Sequence, residues 1–324
     1  MDRQKNNMRK KLLLYGFHWD KKYLKINSPE NGRITFLSLE MKAICNAKCL
    51  YCLWGPELNK EVRDTLTLKE MKNIIKEGKE LGVKTVVFPG RGEPTLDLNL
   101  RPLVEFISKL GLTSVIYTYG VLNDDIIKFL YNHNANLIIK IDSLNKNHYE
   151  KLVGLPFENF KESLNSIANV YKNSGLKGNN YLITRLAANT LVTEINKNDL
   201  SDITHFCKEN NIKHFIASVV KVGWAEDNWK ELTGNNVAKL HKVNSSSENW
   251  ISSATVDGNC GLFAHGVSID TDGNLIGCPT ARWIRLGNIR RNSLQDLIKI
   301  YRDRIHSLEQ HYCLARELTF SKEA

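Results

Sequence analysis

Apolar strand patterns alternate six times with amphipathic helix patterns through the first two thirds of the chain. Parallel strands need a crossover between them, usually a helix, so this alternation predicts a parallel sheet covered by helices. Six units are too few to close an eight-stranded barrel. We therefore predict an α/β fold, a partial (β/α)6 parallel barrel. Its expected strands lie at residues 33–40, 84–88, 114–118, 136–142, 181–192 and 213–219.

The helices between these strands carry recognisable start signals. Thr67 and Glu70 have the spacing of a capping box, in which each side chain accepts a hydrogen bond from the other residue's backbone. Helices are expected at residues 67–81, 100–110, 123–132, 157–173 and 199–210.

A different pattern follows the barrel. Asp272 and Gly273 mark a tight turn between two short strands, and Ser293 begins a last helix that runs to about residue 305. These elements predict a small C-terminal β-hairpin/helix extension. One short helix is also expected near residues 237–243. The expected divisions are an N-terminal basic extension at 1–33, the barrel at 34–222, a linker at 223–258, the extension at 259–316 and a tail at 317–324.

Charge and hydropathy narrow the function classes. The 324 residues include 45 basic and 35 acidic side chains, a net charge of +10, but no tract of five or more basic residues. This spread does not favour a nucleic-acid partner. No apolar run is long enough to cross a bilayer, and the N-terminal apolar stretch at 12–15 is too short for a signal peptide. We predict a cytoplasmic protein without membrane contact.

Three of the seven cysteines fall within eight residues, directly after the first predicted strand. Cys45, Cys49 and Cys52 therefore lie on a loop at the carboxyl edge of the sheet, where barrels of this kind carry their active sites. Thiolates are the protein ligands of iron–sulfur clusters. Three ligands leave one iron open to a substrate or cofactor. A zinc site is the alternative, and it would need a fourth protein ligand.

The C-x3-C-x2-C spacing, with Tyr51 before the last cysteine, resembles the signature of the radical S-adenosylmethionine (SAM) superfamily. The resemblance implies that Cys45, Cys49 and Cys52 hold a [4Fe-4S] cluster whose open iron binds SAM. It further implies an enzyme that cleaves SAM to methionine and a 5′-deoxyadenosyl radical, which abstracts a substrate hydrogen. A protein of this kind needs an electron donor such as flavodoxin or ferredoxin.

A second motif follows the second predicted strand. Gly90, Gly92 and Glu93 are similar to the superfamily's Gly-Gly-Glu-Pro loop, which contacts the amino group of SAM, and Arg91 departs from that pattern. Thr118 ends the third strand where relatives carry Thr-Asn-Gly.

Polar residues on the next two strands complete the expected SAM site. Asp142 and Ser143 resemble the ribose-binding position, with a turn or helix cap as the alternative. Arg185 and Asn189 lie on the fifth strand, where relatives hold the SAM carboxylate or ribose. Alternatively, Arg185 is a surface charge that does not contact SAM.

The C-terminal cysteines resemble the SPASM/Twitch extension of many radical SAM enzymes. Cys260 precedes the predicted hairpin, Cys278 closes it, and Cys313 follows the last helix. The resemblance implies one auxiliary [4Fe-4S] cluster with these three ligands, and its fourth position is either open or filled by a histidine, His265 or His311. Burial as small apolar residues is the alternative. Cys207 lies in a helix pattern and is expected in the core. Alternatively, Cys207 or Cys313 could serve as a thiol that donates a hydrogen atom to the substrate.

The resemblance favours an oxidoreductase or epimerase that acts on a small natural product, such as a sugar, an aminocyclitol or a cofactor precursor. A maturase that modifies a ribosomally made peptide is the second possibility, although about 33 residues before the first strand are short for a leader-binding domain. A non-catalytic zinc or iron–sulfur protein is the third.

Overall fold

The protein is described from a computed structural model, which covers residues 11–60, 64–177, 181–234, 255–256, 259–260, 264–277 and 284–306. In chain order its strands are β1 (Lys11–Leu14), β2 (Phe36–Leu39), β3 (Thr85–Phe88), β4 (Thr113–Thr118), β5 (Asn136–Lys140), β6 (Leu176–Lys177), β7 (Tyr181–Thr184), β8 (Leu186–Val192), β9 (Lys213–Ser218), β10 (Thr255–Val256), β11 (Asn259–Cys260), β12 (Gly266–Ile269), β13 (Asn274–Ile276) and β14 (Arg285–Asn288). Its helices are α1 (Lys21–Ile26), α2 (Leu68–Glu80), α3 (Leu100–Lys109), α4 (Asp124–Asn132), α5 (Lys146–Val153), α6 (Phe157–Tyr171), α7 (Leu200–Glu209), α8 (Trp224–Asp227), α9 (Trp229–Thr233) and α10 (Leu294–Tyr301).

Six parallel strands form the centre of the fold, in the order β2-β3-β4-β5-β8-β9. Helices cross from each strand to the next, which confirms the predicted partial (β/α)6 barrel. All four residues of β2 and of β3 are buried, as expected for strands covered on both faces.

The barrel interior is filled by one apolar side chain from each of the six strands. This layer joins them in a single buried cluster, distinct from the larger core between strands and helices. Its members are Phe36, Val87, Val115, Ile138, Ala187 and Phe215.

The capping box at the start of α2 is formed as predicted. Thr67 Oγ1 accepts from the Glu70 backbone N–H at 3.2 Å, and Glu70 Oε2 accepts from the Thr67 N–H at 2.7 Å. Met71, Ile74 and Ile75 then place an apolar stripe against the sheet.

The predicted C-terminal hairpin is present and continues the central sheet. β12 pairs in parallel with β2 and antiparallel with β13, which pairs with β14. Arg290 Nε donates to Glu70 Oε1 at 2.6 Å, and the Leu294 N–H donates to Glu77 Oε1 at 2.7 Å, so hairpin and α10 are tied to α2. The expected helix at 237–243 lies outside the described residues.

The single strand expected at 181–192 is wrong in one respect. The chain forms two strands that belong to different sheets, because it breaks at Arg185: β7 pairs in parallel with β1, whereas β8 joins the barrel. The Arg185 guanidinium donates to the carbonyls of Tyr131 and Ala135, both at 2.9 Å. These distant partners hold the break, and no glycine or proline marks it in the sequence.

The N-terminal segment, residues 11–32, covers the amino-terminal mouth of the barrel. Phe17 and Leu24 pack against the interior layer. Thr85 Oγ1 donates to the Gly16 carbonyl at 2.8 Å and accepts from the Trp19 indole N–H at 3.0 Å. Gly16 has φ of +93°, and a Cβ there would lie 2.9 Å from Val115, so only glycine fits. Residues predicted as a basic extension therefore contribute to the core.

The helices in the described ranges include none with the length and apolar character needed to cross a membrane.

His214 is held neutral between β9 and α7. Thr190 donates its hydroxyl hydrogen to the Ile141 carbonyl and can therefore only accept from His214 Nε2, at 2.9 Å. His214 Nδ1 then accepts from the Thr204 hydroxyl at 3.2 Å. Burial lowers the pKa of His214 from 6.5 to about 4.

Because the unfolded chain binds a proton at His214 below pH 6.5 and the folded chain does not, this group makes stability fall as pH drops from 6.5 to 4. The loss should reach about 3 kcal/mol. Urea unfolding of iron-free protein across this range should show a shallower pH dependence in His214→Gln. The control is His205→Gln, at an exposed position on α7. Parallel pH profiles for wild type and His214→Gln would contradict this assignment.

Candidate functional site

A cavity of about 360 Å³ opens at the carboxyl ends of the barrel strands, and its lining is largely apolar. Every strand of the barrel contributes to it, either directly or through the loop that follows. The three clustered cysteines come from the loop after β2, Gly90 to Glu93 follow β3, and Thr118 ends β4. From the remaining strands come Lys140, Asn189, Leu191 and Ser218.

Hydrogen bonds hold both ends of the cysteine loop. The Cys45 N–H donates to Asn59 Oδ1 at 3.0 Å, and Asn59 Nδ2 donates back to the Cys45 carbonyl at 2.8 Å. The backbone N–H groups of Lys48 and Leu50 donate to the end of α5 at 2.9 Å. The positions of the thiols are therefore set by neighbouring elements as well as by the loop itself.

The segment after β9 closes the other side of this loop. The Trp224 N–H donates to the Cys52 carbonyl at 3.0 Å, and Asn228 Nδ2 donates to the Leu50 carbonyl at 3.1 Å. A Cβ on Gly55 would lie 2.0 Å from the Trp224 ring, so the indole packs directly on backbone. The loop after the first barrel strand and the segment after the last one are therefore in contact at the cysteines.

The three thiols have raised pKa values, which a bound metal centre would lower. Burial raises the pKa of Cys45 to about 11, and it also raises the pKa of Cys49 and of Cys52. The charge of Cys52 further raises the pKa of Cys45 and of Cys49, so a metal centre that stabilises thiolates would favour their ionisation together. Among the described residues no group of three His, Cys, Asp or Glu side chains is placed to hold a single metal ion. The thiols instead surround a shared cavity, an arrangement that fits a multinuclear iron–sulfur cluster.

The glycine loop lies against the start of the cysteine loop. A Cβ on Gly92 would lie 2.3 Å from the Ile44 carbonyl oxygen, and the Glu93 N–H donates to that same oxygen at 2.8 Å. Gly90 has φ of +78°, which favours glycine. Both glycines are therefore required by the backbone.

Glu93 presents a buried carboxylate to the cavity. It accepts from the Tyr119 N–H at 2.9 Å and from the Thr95 hydroxyl at 2.6 Å. Burial raises the pKa of Glu93, and these hydrogen bonds oppose the rise. Such a carboxylate suits a ligand that carries a positive charge.

Arg91, the departure from the superfamily pattern, is accommodated by partners on two other loops. Its guanidinium pairs with Glu57 at 2.7 Å, hydrogen-bonds to Thr271 of the hairpin turn, and lies 5.5 Å from the Trp54 ring centroid. Arg91 therefore joins the glycine loop, the cysteine loop and the C-terminal hairpin.

Asp142 is fully buried and is bound by the cysteine loop. It accepts from the Tyr51 hydroxyl, from Lys140 Nζ at 2.9 Å and from the Leu191 N–H at 2.9 Å. Lys140 Nζ also lies 4.5 Å from the Tyr51 ring centroid. This network fastens the turn between Cys49 and Cys52 to the end of β5, and burial raises the pKa of Tyr51 well above its usual range.

Three residues expected at the site, Asp142, Ser143 and Arg185, are not among the residues that line the cavity. Asp142 lies beneath the lining, where Tyr51 and Lys140 bind it. Ser143 Oγ bonds to Asp199 and accepts from the Asn145 N–H at 2.9 Å, so it serves the turn before α5, the alternative given above. Arg185 precedes β8, and its carbonyl partners lie at the opposite end of the strand from the cavity. Thr118 and Asn189 do line the cavity, and Asn189 Oδ1 is buried without a hydrogen-bond partner among the described residues.

Of the four remaining cysteines, one lies in the core, one lies in a short strand, and two lie outside the described residues. Cys207 is 1% exposed in the core of α7, as expected, and burial raises its pKa to about 12. Cys260 lies in β11, where its backbone pairs with Thr255 of β10. Cys278 and Cys313 lie outside the described residues, so the auxiliary cluster stays a prediction.

Lys140 is the main site residue that sequence reasoning missed. It is the single charged residue of β5, which runs Asn136-Leu-Ile-Ile-Lys140. A cation in a strand that is buried on both faces is a signal for the carboxyl edge of a barrel. Leu191 and Ser218 carry no comparable signal.

Comparisons with known proteins agree with this geometry. The Radical SAM superfamily model matches residues 39–187. The chain is 26% identical over 196 residues to GTP 3′,8-cyclase of Synechocystis sp., covering 60% of this chain and 56% of that protein. It is 27% identical over 183 residues to the probable GTP 3′,8-cyclase of Methanocaldococcus jannaschii, covering 54% and 56%. The chain thus spans about half the length of the curated relatives it matches.

Solved structures share the fold. Streptococcus suis SuiB bound to S-adenosylmethionine superposes with a TM-score of 0.63 at 16% identity, covering 84% of this chain and 67% of SuiB. His-tagged anSMEcpe with bound AdoMet gives a TM-score of 0.57 at 16% identity, covering 84% and 82%.

The Tyr51–Asp142 hydrogen bond can be tested without any cofactor. Tyr51→Phe removes one donor from a fully buried carboxylate and should lower the free energy of unfolding by about 1–3 kcal/mol. Tyr181→Phe, which is 43% exposed in β7, should change it by less than about 0.5 kcal/mol. Urea unfolding of iron-free protein measures both. Equal effects would show that Tyr51 contributes no special stability.

Proposed function

We propose that this chain, a member of the radical SAM superfamily, is an enzyme that reductively cleaves SAM and abstracts hydrogen from a small natural product. The observation that carries the proposal is the cavity at the carboxyl edge of the barrel, which is lined by Cys45, Cys49, Cys52 and Glu93 together. When bound, a [4Fe-4S] cluster would supply one electron to SAM and release methionine and a 5′-deoxyadenosyl radical.

The cysteine loop would hold this cluster by three thiolates and leave one iron free for SAM. Without a bound metal centre the thiols would resist ionisation, because burial raises the pKa of each and the charge of Cys52 adds to the rise at Cys45 and Cys49. Cluster binding would therefore release protons as well as fix the loop.

SAM would bind beside the cluster, across the ends of β3, β4 and β8. Glu93, with its carboxylate already oriented by Tyr119 and Thr95, would accept from the SAM amino group. Gly90 and Gly92 let the backbone approach closely. Thr118 and the unpartnered Asn189 Oδ1 would meet the polar groups of the nucleoside.

The walls of the cavity would protect a reactive intermediate. Trp54, Leu191, Val220 and Val222 give the cavity an apolar lining, which excludes water and other hydrogen donors near the radical. The protein's contribution is thus to orient and to shield, while the hard chemistry belongs to the bound groups.

A cofactor precursor is the substrate class that the curated relatives favour, because several of them are named GTP 3′,8-cyclase. A peptide substrate is the second candidate, because the fold also matches S. suis SuiB bound to precursor peptide SuiA, with a TM-score of 0.61, 17% identity and coverage of 90% of this chain and 70% of that one. Assay of 5′-deoxyadenosine release in the presence of each class of compound distinguishes them.

Substitution of one cluster ligand tests the main proposal. Anaerobically reconstituted wild type should be brown and should form 5′-deoxyadenosine from SAM with dithionite, as measured by liquid chromatography. Cys45→Ala should abolish that product, because two thiolates leave the cluster without its third ligand. Cys207→Ala, in the core of α7, is the matched control and should retain it. Colourless wild type with bound zinc, or full activity in Cys45→Ala, would sink the proposal.

We further propose an auxiliary [4Fe-4S] cluster held by Cys260, Cys278 and Cys313. Two clusters correspond to about eight iron atoms per chain, and the double variant Cys260→Ala/Cys278→Ala should retain about four. Iron and sulfide assays on reconstituted protein provide the count. An unchanged iron content in the double variant would remove the second cluster from the proposal.

A further inference from the structure

The cysteine loop reaches the outer surface at Ile44, one residue before Cys45. Beside it lies a shallow hollow of about 450 Å³, with walls that include Lys42, Ile44, Lys60 and Thr271. The hollow is separate from the cavity inside the barrel mouth, with which it shares no lining residue.

Large apolar side chains are exposed around this point. Of the six such side chains in the described ranges, three lie here: Ile44 at 42% exposure, Leu96 at 40% and Leu98 at 93%. The Lys42 N–H donates to Asp97 Oδ2 at 3.1 Å, so the two loops that carry these side chains are in contact. Exposed apolar side chains on adjoining loops are where an interaction site is to be sought. Lys42, Ile44, Lys60, Leu96 and Leu98 are called the loop patch below.

The charge that the loop patch presents outward is positive. Lys42 and Lys60 are both exposed. Two neighbouring carboxylates are already engaged: Asp97 is buried and accepts from the backbone N–H groups of Lys42 and Asn99, and the half-exposed Glu57 is paired with Arg91. The chain as a whole carries a net charge of +10, which adds to the attraction of an acidic partner.

We propose that the loop patch docks an acidic one-electron carrier protein that reduces the cluster; this inference rests on the proposed function. Each encounter would transfer one electron, which oxidises the carrier by one electron and reduces the cluster by one, and no bond forms or breaks. An apolar centre with a charged rim is the usual anatomy of a protein interface. Small contacts of this kind suit transient redox partners.

The position of the loop patch favours this partner over a substrate. Ile44 is adjacent in sequence to a cluster ligand, and its backbone also contacts Gly92 and Glu93 of the glycine loop. A carrier docked here would therefore meet the outer side of the loop whose inner side faces the cavity. A substrate must instead reach the cavity itself.

The double variant Lys42→Glu/Lys60→Glu tests the proposal, with a reduced flavodoxin of net negative charge as the probe. At low salt, the second-order rate of flavodoxin oxidation by the reconstituted protein should fall at least tenfold, because like charges now meet. The rate of 5′-deoxyadenosine formation with dithionite should stay within twofold of wild type. Titration of oxidised flavodoxin into the protein, followed by calorimetry, should give a Kd at least tenfold weaker.

The matched control is Lys161→Glu/Lys172→Glu, which makes the same change of charge at exposed positions on and after α6. It should slow flavodoxin oxidation by less than threefold. A second variant, Leu98→Ser, alters no charge and should also weaken flavodoxin binding. The proposal is overturned if the two lysine pairs behave alike, or if flavodoxin binding survives both Lys42→Glu/Lys60→Glu and Leu98→Ser. A wild type that binds flavodoxin but never cleaves SAM with dithionite would refute the proposed function and leave the docking surface standing.

Discussion

The interior layer of the barrel is the constraint on which the site depends. Six strands can place their carboxyl ends around one cavity only if they curve about a common centre, and that centre is one apolar side chain from each strand. Ala187 is the smallest member of this layer, and Phe36 and Phe215 are the largest. Once these side chains pack, the loops after β2, β3 and β4 are brought to the same edge.

The loops at that edge are held in place by contacts with one another. The cysteine loop is tied to α5, to the glycine loop and to the segment after β9 by backbone hydrogen bonds. Tyr51 and Arg91 add side-chain contacts to Asp142, Glu57 and the hairpin turn. The three half-buried cysteines are kept in place by this frame of hydrogen bonds.

Much of this could be predicted from the sequence, where the determining interactions are local. The capping box at Thr67 and Glu70, the Asp272-Gly273 turn and the cysteine spacing each lie within a few residues. Long-range interactions were the source of the errors. Arg185 interrupts a continuous strand pattern because carbonyls fifty residues away bind it. Lys140 could have been recognised from its charge, but its contact with the cysteine loop could not.

The N-terminal segment has a consequence for the order in which the molecule assembles. Phe17 and Leu24 precede all six barrel strands in the chain, yet the surface they cover includes Phe215 of the last of those strands. During translation this segment must therefore wait without one of its partners until the last barrel strand has been made. Contacts between such distant parts of a chain slow folding, so we expect the amino-terminal mouth of the barrel to be covered only after β9 has been made and has paired with β8.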